Sequence, residues 1–311
     1  MNFPEVNNYF EELKDCNLCP RDCHANRFSG KLGYCKTDAS FPISSIFIHH
    51  GEEPPISGRD GICNIFFTNC NLQCVYCQNF QISDNLLKRN HSGMTLEKVI
   101  SKITTILDTG VSRVGFVSPS HVIPQIKVII DAIHSLGYKP VWVYNSNGYD
   151  KIETLRTLEG LIDVYLPDFK YSDPALAVSY SDAPDYPEIV AGALKEMVRQ
   201  KDTVLHLSGE GTAESGIIIR HLVLPGQVEN SLKVIRYIAE EISPRIHVSI
   251  MSQYYPTPKV LCHPELGRTV FRDEYNRVAD EMIKLGMVNG WIQELESSNH
   301  YRPDFDRVDP F

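Results

Sequence analysis

The chain has 311 residues, with 30 lysines and arginines against 39 aspartates and glutamates, and a formal net charge of −9. This length suffices for a large hydrophobic core without disulfides, and an acidic balance spread without long blocks of one sign argues against a nucleic-acid partner, which needs a basic surface. Neither a secretion signal nor an apolar run of membrane-spanning length is apparent, so we expect a cytoplasmic protein without membrane association.

Four cysteines lie close together near the N-terminus, in "CNLCPRDC" and "GYC": Cys16, Cys19, Cys23 and Cys35. In a cytoplasmic chain such clustering indicates metal or redox chemistry more often than disulfides. Four thiolates form a closed site, which suits either an auxiliary four-iron, four-sulfur cluster or zinc, and either metal would order the N-terminal segment. Unligated structural cysteines are the alternative. Cys63 and Cys262 are expected to be buried apolar residues.

Short β-branched runs alternate with stretches of helical spacing along most of the chain, which predicts parallel strands joined by helices. The predicted strands cover 64–68, 113–117, 140–145, 162–167, 216–224 and 246–251, and the predicted helices cover 95–108, 122–136, 150–158, 187–200, 229–242 and 272–285. Six such units form either a partial barrel or a doubly wound sheet, and the pattern alone does not decide between them. In both folds the loops that follow the strands carry the site.

Two connections are longer than the rest, 171–186 and 202–215. We expect them to be elaborated loops that serve as a lid or a partner surface.

The stretch "FFTNCNLQCVYCQN" at 66–79 places Cys70, Cys74 and Cys77 at C-x3-C-x2-C spacing on the loop after the first predicted strand. One alternative is a structural zinc site completed by Cys63 or a histidine, although such sites normally show paired cysteine knuckles. Three thiolates instead leave one iron of a four-iron, four-sulfur cluster without a protein ligand, and an open iron can bind and activate a small molecule.

With Tyr76 in the aromatic position, this C-x3-C-x-aromatic-C motif resembles the signature of radical S-adenosylmethionine enzymes. The resemblance implies that Cys70, Cys74 and Cys77 hold a catalytic cluster and that S-adenosylmethionine completes its coordination and is cleaved to a 5′-deoxyadenosyl radical. It also implies a partial (β/α)6 barrel and places Tyr76 and Gln78 against the adenine. The corresponding division is an N-terminal metal-binding extension at 1–50, a barrel at 51–290 and a C-terminal tail at 291–311.

The resemblance narrows to the group of pyruvate formate-lyase activating enzymes. The matching stretches are "EEPPISG" at 52–58, "VSPSH" at 117–121, "VYNSNGY" at 143–149, "YLPDFKY" at 165–171, "IIIRHLVLPG" at 217–226 and "MSQYYP" at 251–256. Activating enzymes carry a Gly-Gly-Glu turn for the methionyl amine where this chain has Ser118, Pro119 and Ser120. Hydroxyls and carbonyls also accept hydrogen bonds from an ammonium group, so Ser118 and Ser120 are candidate cofactor contacts.

Further candidate contacts lie near the ends of later strands. The "DFK" matches the family's Asp-x-Lys, so Asp168 and Lys170 are expected to contact the cofactor from one face of an extended strand, the alternative being an exposed ion pair. Arg220 interrupts an apolar run and needs an anion if it is buried, which substrate, cofactor or an internal carboxylate would supply. The resemblance adds Asn145 and Ser146, for a monovalent cation or the pocket wall, and Gln253, for the cofactor.

The sequence is compatible with three functions. The resemblance favours an activase that abstracts hydrogen from a glycine Cα of a glycyl-radical enzyme and receives electrons from a flavodoxin or ferredoxin. The second function keeps the radical chemistry but acts on another peptide or a small molecule, as the rebuilt "VSPSH" turn and the long connections suggest. The third, a non-catalytic iron-sulfur or zinc protein, leaves the open iron and the polar residues at the strand ends without a purpose.

Overall fold

A computed structural model describes residues 9–87, 93–295, 302–307 and 310–311. Its strands are β1 Ile43–His49, β2 Ile62–Phe67, β3 Arg113–Val117, β4 Val141–Asn145, β5 Val164–Tyr165, β6 His206–Leu207, β7 Ala213–Leu222, β8 His247–Met251 and β9 Gly290–Ile292. The helices are α1 Pro54–Ser57, α2 Phe80–Ser83, α3 Leu96–Leu107, α4 Ile123–Ser135, α5 Ile152–Arg156, α6 Pro174–Ser181, α7 Tyr186–Lys201, α8 Val228–Tyr237 and α9 Arg272–Lys284. Single turns of other helix types cover Glu11–Lys14, Pro258–Val260 and Ile238–Ile242.

The strands form one sheet in the order β1-β2-β3-β4-β5-β7-β8-β9, with β6 paired beside β7. Strands β2 to β5 and β7 to β9 run parallel, whereas β1 and β6 are antiparallel to their neighbours. In the described part of the chain β1 and β9 are the two ends of this order and do not pair with each other, so the barrel is open. The predicted partial (β/α)6 barrel is thereby confirmed, with a seventh parallel strand and an antiparallel edge strand added.

The six predicted helices are present within a few residues of their predicted bounds. Thr95 caps the first of them by accepting a hydrogen bond from the backbone N–H of Lys98 at 3.3 Å. Gly110 and Gly137, which follow α3 and α4, have φ of 103° and 89°. This left-handed conformation ends a helix and costs glycine less than any other residue.

The predicted elements did not include strands β1, β6 and β9 or helices α1, α2 and α6. In β1 a register shift between Ile43 and Ser45 breaks the regular alternation that marks a strand, and β9 has only three residues. Helix α6 lies inside 171–186, which was expected to be a loop; its exposed Val178 and buried Tyr180 do not follow a simple amphipathic pattern. The other long connection, 202–215, contains the short hairpin of β6 with the start of β7.

The N-terminal segment packs on the barrel. Strand β1, which lies before residue 50, is an edge of the barrel sheet, and Phe10 and Leu13 belong to the same hydrophobic core as Val99 and Ile103 of α3. Most of that core lies between the sheet and its helices. Within the described ranges, no helix combines the length and apolar character needed to cross a membrane.

Of the two cysteines expected to be buried, Cys63 of β2 is fully buried. The prediction is wrong for Cys262, which is exposed. It lies on the loop that follows the short turn Pro258–Val260.

Candidate functional site

The three cysteines of the C-x3-C-x2-C motif lie on the loop between β2 and α2 and line one cavity of about 130 Å³. Asn69, with φ of 67°, turns the chain out of β2, and its N–H donates to the Ile82 carbonyl at 2.7 Å. The Cys77 N–H donates to the Cys74 carbonyl at 3.2 Å. Backbone hydrogen bonds therefore fix the loop at the carboxyl edge of the parallel strands.

Each sulfur has a hydrogen-bonding neighbour. The Cys70 Sγ accepts from Asn147 Nδ2 at 3.3 Å and the Cys74 Sγ from Ser181 Oγ at 3.0 Å, while the Cys77 Sγ lies 3.1 Å from Ser83 Oγ. Burial raises the pKa of Cys70 to about 12 and that of Cys74 to about 11. The protein alone therefore holds these groups as neutral thiols, and metal binding there must displace protons.

Asn147 and Ser181 are site residues that the sequence analysis missed. Asn147 stands two residues after Asn145 in the same "VYNSNGY" stretch, so that stretch carried a usable signal. Ser181 lies at the end of α6, and its contact with Cys74 spans 107 residues of chain. Such a contact leaves no local pattern in the sequence.

Tyr76 and Gln78 also line the cysteine cavity. The Tyr76 hydroxyl bonds with that of Tyr171, and its ring packs against Tyr180 and Tyr254, with centroids 6.3 and 5.9 Å apart. These four aromatic rings, of Tyr76, Tyr171, Tyr180 and Tyr254, shield one side of the loop from water. On another side the Gln78 amide donates to the Gln253 carbonyl at 2.7 Å, which links the loop to the end of β8.

Asp168, Lys170 and Arg220 line the same cavity as the three cysteines. Pro167 lacks an N–H, so the regular ladder of β5 ends early, yet the Phe169 N–H still donates to the Arg220 carbonyl at 2.8 Å. The Lys170 Nζ lies 2.5 Å from Asp168 Oδ2 and the Arg220 Nε 3.2 Å from Asp168 Oδ1. Burial alone would raise the pKa of Asp168, but the two cations hold it below its usual value.

Of the alternatives for Arg220, the structure favours internal carboxylates. Its Nη1 lies 2.9 Å from Glu52 Oε2, and its Nη2 donates to Asn145 Oδ1 at 3.1 Å. With Asp168 bound through Nε, the guanidinium has protein partners on all three nitrogens. The "EEPPISG" stretch thus supplies the counter-charge for an arginine that lies 168 residues later in the chain.

The remaining predicted contacts separate into two sets. Ser118, with φ of 52°, and Asn145 line the cysteine cavity. Ser120 and Ser146 are each 1% exposed and lie beside the buried Asp150, to which the Ser146 hydroxyl donates. The structure therefore does not bring these two hydroxyls to the cavity wall, because the turns after β3 and β4 direct them beneath it.

The N-terminal cysteines Cys16, Cys19, Cys23 and Cys35 line a second, smaller cavity. The pKa of Cys19 is raised to about 12, mainly by burial; a hydrogen bond from the Arg21 backbone opposes this rise and the other three cysteines contribute to it. In the described residues no three His, Cys, Asp or Glu side chains converge to hold a single metal ion. An iron-sulfur cluster does not require such convergence, since each cysteine binds a different iron, so both cysteine sets suit a cluster by donor type and common cavity.

A larger cavity of about 300 Å³ adjoins the cysteine cavity. The two share wall residues, among them Gln78, Asn145, Arg220 and Gln253. The larger cavity continues past β8 to Trp291 of β9 and is bounded by Pro303 and Phe311 near the C-terminus. A molecule held there would lie directly beside the cysteine loop.

No protein-family model matches the chain. The chain is 28% identical, over 272 residues, to an uncharacterized protein of Methanocaldococcus jannaschii. The aligned region covers 86% of this chain and 74% of that protein.

Solved structures with a similar fold include anSMEcpe with bound AdoMet (12% identity, 72% of this chain, 61% of that chain, TM-score 0.49). Streptococcus suis SuiB bound to S-adenosylmethionine is also similar (14% identity, 73% of this chain, 48% of that chain, TM-score 0.49). A third is the FeFe-hydrogenase maturase HydG from Carboxydothermus hydrogenoformans (18% identity, 71% of this chain, 56% of that chain, TM-score 0.42). The chain therefore spans between about half and three fifths of these structures.

Proposed function

We propose that this protein is an iron-sulfur enzyme that cleaves S-adenosylmethionine reductively and abstracts a hydrogen atom from a substrate. One observation carries the proposal. Cys70, Cys74 and Cys77 line a single cavity at the carboxyl edge of an open parallel sheet, together with the Asp168 and Lys170 of the "DFK" stretch. A three-cysteine set on the first such loop, with a cation and an acceptor beside it, matches the needs of an open cluster and an amino-acid cofactor.

A four-iron, four-sulfur cluster at Cys70, Cys74 and Cys77 would supply the electron for cofactor cleavage. The chain's own residues have separate tasks. Asn147 and Ser181 donate hydrogen bonds to cysteine sulfurs, and such bonds tune the reduction potential of a cluster. Lys170 offers a cation for the carboxylate of the cofactor, and the tyrosine rings packed around Tyr76 limit the access of water.

We propose that the N-terminal cysteines hold a second four-iron, four-sulfur cluster. Zinc, the other metal that accepts four thiolates, needs side chains that converge on one ion, and the described residues show no such set. The four cysteines share one cavity, and the segment around them contacts the barrel through several hydrogen bonds. A closed metal site there would stabilise this segment, since the free energy of metal binding adds to that of folding.

Two substrate classes follow from the same chemistry. The resemblance to activating enzymes favours a glycine Cα of a glycyl-radical enzyme, with a flavodoxin or ferredoxin as the electron donor. The cavity of about 300 Å³ beside the cysteine loop favours the second class, a small molecule, because this volume lies in the range of small-molecule sites.

The test is the formation of 5′-deoxyadenosine by the anaerobically reconstituted full chain with a strong reductant and S-adenosylmethionine. We expect product from the parent protein and background levels from Cys74→Ala, because one cluster ligand is lost. Cys262→Ala is the matched control, since Cys262 is exposed and far along the chain from both cysteine sets. Equal product from Cys74→Ala and Cys262→Ala would refute the proposed chemistry.

A second arm separates the two substrate classes. The reconstituted protein is incubated with a glycyl-radical enzyme from the same organism and examined by electron paramagnetic resonance. A glycine-centred radical supports the activase. Silence in a preparation that forms 5′-deoxyadenosine favours the small-molecule substrate.

A further inference from the structure

The cavity of about 300 Å³ has a wall that the proposed cofactor chemistry does not use. Part of this wall is apolar and aromatic. The Phe66 ring packs against Phe305 and Phe311, with centroids 5.3 and 6.2 Å apart, and Trp291 lies on the β9 side. An apolar wall of this kind favours the hydrocarbon or aromatic portion of a ligand.

Glu53 lies in the same wall with one oxygen unpartnered. The residue is 8% exposed, and its Oε2 has no hydrogen-bond partner among the described residues. The nearest cationic nitrogen, Arg220 Nη1, is 3.9 Å away, beyond hydrogen-bond distance. A buried carboxylate oxygen left in this state is costly unless something else pairs with it.

The backbone holds Glu53 in place. Its carbonyl accepts from the N–H groups of Ile56 and Ser57 at 2.8 and 3.0 Å, in the first turn of α1. Pro54 and Pro55 stiffen that turn. The backbone of Glu53 is therefore held rigidly at the edge of the cavity, and its side chain is buried in the cavity wall.

The charges around Glu53 compensate its carboxylate only in part, since its one ion pair among the described residues is the long contact with Arg220. The Arg220 guanidinium already pairs with Glu52 and Asp168, and the Lys170 ammonium pairs with Asp168. The three carboxylates of Glu52, Glu53 and Asp168 thus lie near two cationic side chains, those of Lys170 and Arg220. In the same wall the His49 ring packs against Phe311. Burial raises the pKa of Glu53, and the neighbouring Glu52 adds to this while Arg220 opposes it. An added positive charge would offset the cost of keeping Glu53 ionised.

We propose that this cavity binds the substrate as a small-molecule amine, whose ammonium or guanidinium group pairs with Glu53 while its apolar part packs against Phe66, Trp291 and Phe311. The inference rests on the proposed function, since it names the substrate class for the same site. The shared wall of Asn145 and Arg220 places such an amine next to the cofactor position.

The experiment measures binding by isothermal titration calorimetry on the anaerobically reconstituted full chain. The probes are phenethylamine and its neutral analogue 2-phenylethanol, which differ in charge but little in shape. We expect the parent protein to prefer the amine by about tenfold or more, and Glu53→Gln to lose that preference. Glu214→Gln, an exposed acid on β7, is the matched control and should keep it.

Two further readouts separate this role from a structural or cofactor role. Glu53→Gln should melt at the parent's temperature or above it, because the change removes a buried charge that is only partly compensated. Its affinity for S-adenosylmethionine, which is itself a cation, should stay within about twofold of the parent's. Loss of cofactor affinity in this variant would assign Glu53 to the cofactor and overturn the proposal, as would equal or undetectable binding of both probes by the parent.

The two proposals fail in different ways. A parent protein that prefers the amine through Glu53 but forms no 5′-deoxyadenosine refutes the radical chemistry and keeps the amine site. A protein that cleaves the cofactor but shows no preference for the amine refutes only the amine site.

Discussion

Lys170 is the side chain whose loss should separate cofactor binding from cluster loading. Its ammonium lies in the cysteine cavity and pairs with Asp168, which keeps a second cationic partner in Arg220. We expect Lys170→Ala to weaken S-adenosylmethionine binding by about tenfold, because a buried charge-assisted contact to a carboxylate is lost, while iron content stays at the parent's level. Calorimetry and iron analysis measure the two effects.

Lys195→Ala is the matched control for this change. Lys195 lies on α7, is more than half exposed and pairs with Glu241 at the surface, so its removal should alter neither quantity. A collapse of iron content in Lys170→Ala would mean that this residue supports the cysteine loop and does not serve the cofactor.

For individual site residues, the spacing in the sequence predicted some of the contacts in the structure but not others. The spacing of Cys70, Cys74 and Cys77 predicted a common site, and the three line one cavity. For Arg220 the sequence indicated only that a buried guanidinium needs an anion. Its actual partners, Glu52 and Asp168, come from other loops, and no local pattern identifies them.

The start of α9 depends on one carboxylate, Glu274. Its oxygens accept from the backbone N–H groups of Phe271 and Gly226, both at 2.8 Å, and pair with Arg268 at 2.7 Å. The Arg268 hydrogen bond is the main cause that lowers the pKa of Glu274 to about 2, from an ordinary value of 4.5. Because the folded state holds the ionised form, the stabilisation is present above about pH 4.5 and is lost as the pH falls toward 2.

Glu274→Gln should therefore lower the free energy of unfolding by about 2 kcal/mol at pH 7, and the difference from the parent should shrink as the pH falls below 4.5. Urea denaturation at pH 7, 5, 4 and 3 measures this dependence. Glu229→Gln, which removes an exposed ion pair with Arg277, is the control and should change stability little. A difference that stays constant across this pH range would contradict the assigned cause.

The elements were predicted where the periodicity was regular and missed where it was not. Helices α3, α4 and α9 carry a clear apolar stripe and lie within one residue of their predicted bounds. Helix α6 carries no such stripe, and β9 is too short to show alternation. Yet α6 supplies Ser181 to Cys74, so an element without a local signature contributes to the site.

The two cysteine sets are joined through Arg21, which stands between Cys19 and Cys23. Its Nε donates to the carbonyl of Asn71, next to Cys70, at 2.8 Å, and its guanidinium lies 3.7 Å from the centre of the Tyr34 ring. A second donor, Nη1, reaches the Asp182 carbonyl at 2.6 Å. One side chain thus fastens the N-terminal segment to the barrel at the cysteine loop.

We expect Arg21→Met to loosen that segment while the barrel stays folded, because the hydrogen bonds are lost but the apolar stem is kept. Limited chymotrypsin digestion measures this as cleavage after the exposed Phe28, which should be about tenfold faster than in the parent. Arg245→Met, an exposed arginine before β8, should leave the rate unchanged. Unchanged cleavage in Arg21→Met would show that other contacts hold the segment.

Three features of this protein are evident from its amino-acid sequence: the alternation of parallel strands and helices, the position of the cysteine loop after the first of those strands, and the four-cysteine group near the N-terminus. These features follow from short periodicities and spacings, which are local properties of the chain. Which side chains meet is known only from the fold: Glu52 pairs with Arg220, Ser181 with Cys74, and Glu53 shares a cavity wall with Trp291 and Phe311. Those contacts join residues more than a hundred positions apart, and they exist because the curved sheet brings the carboxyl ends of distant strands to one edge.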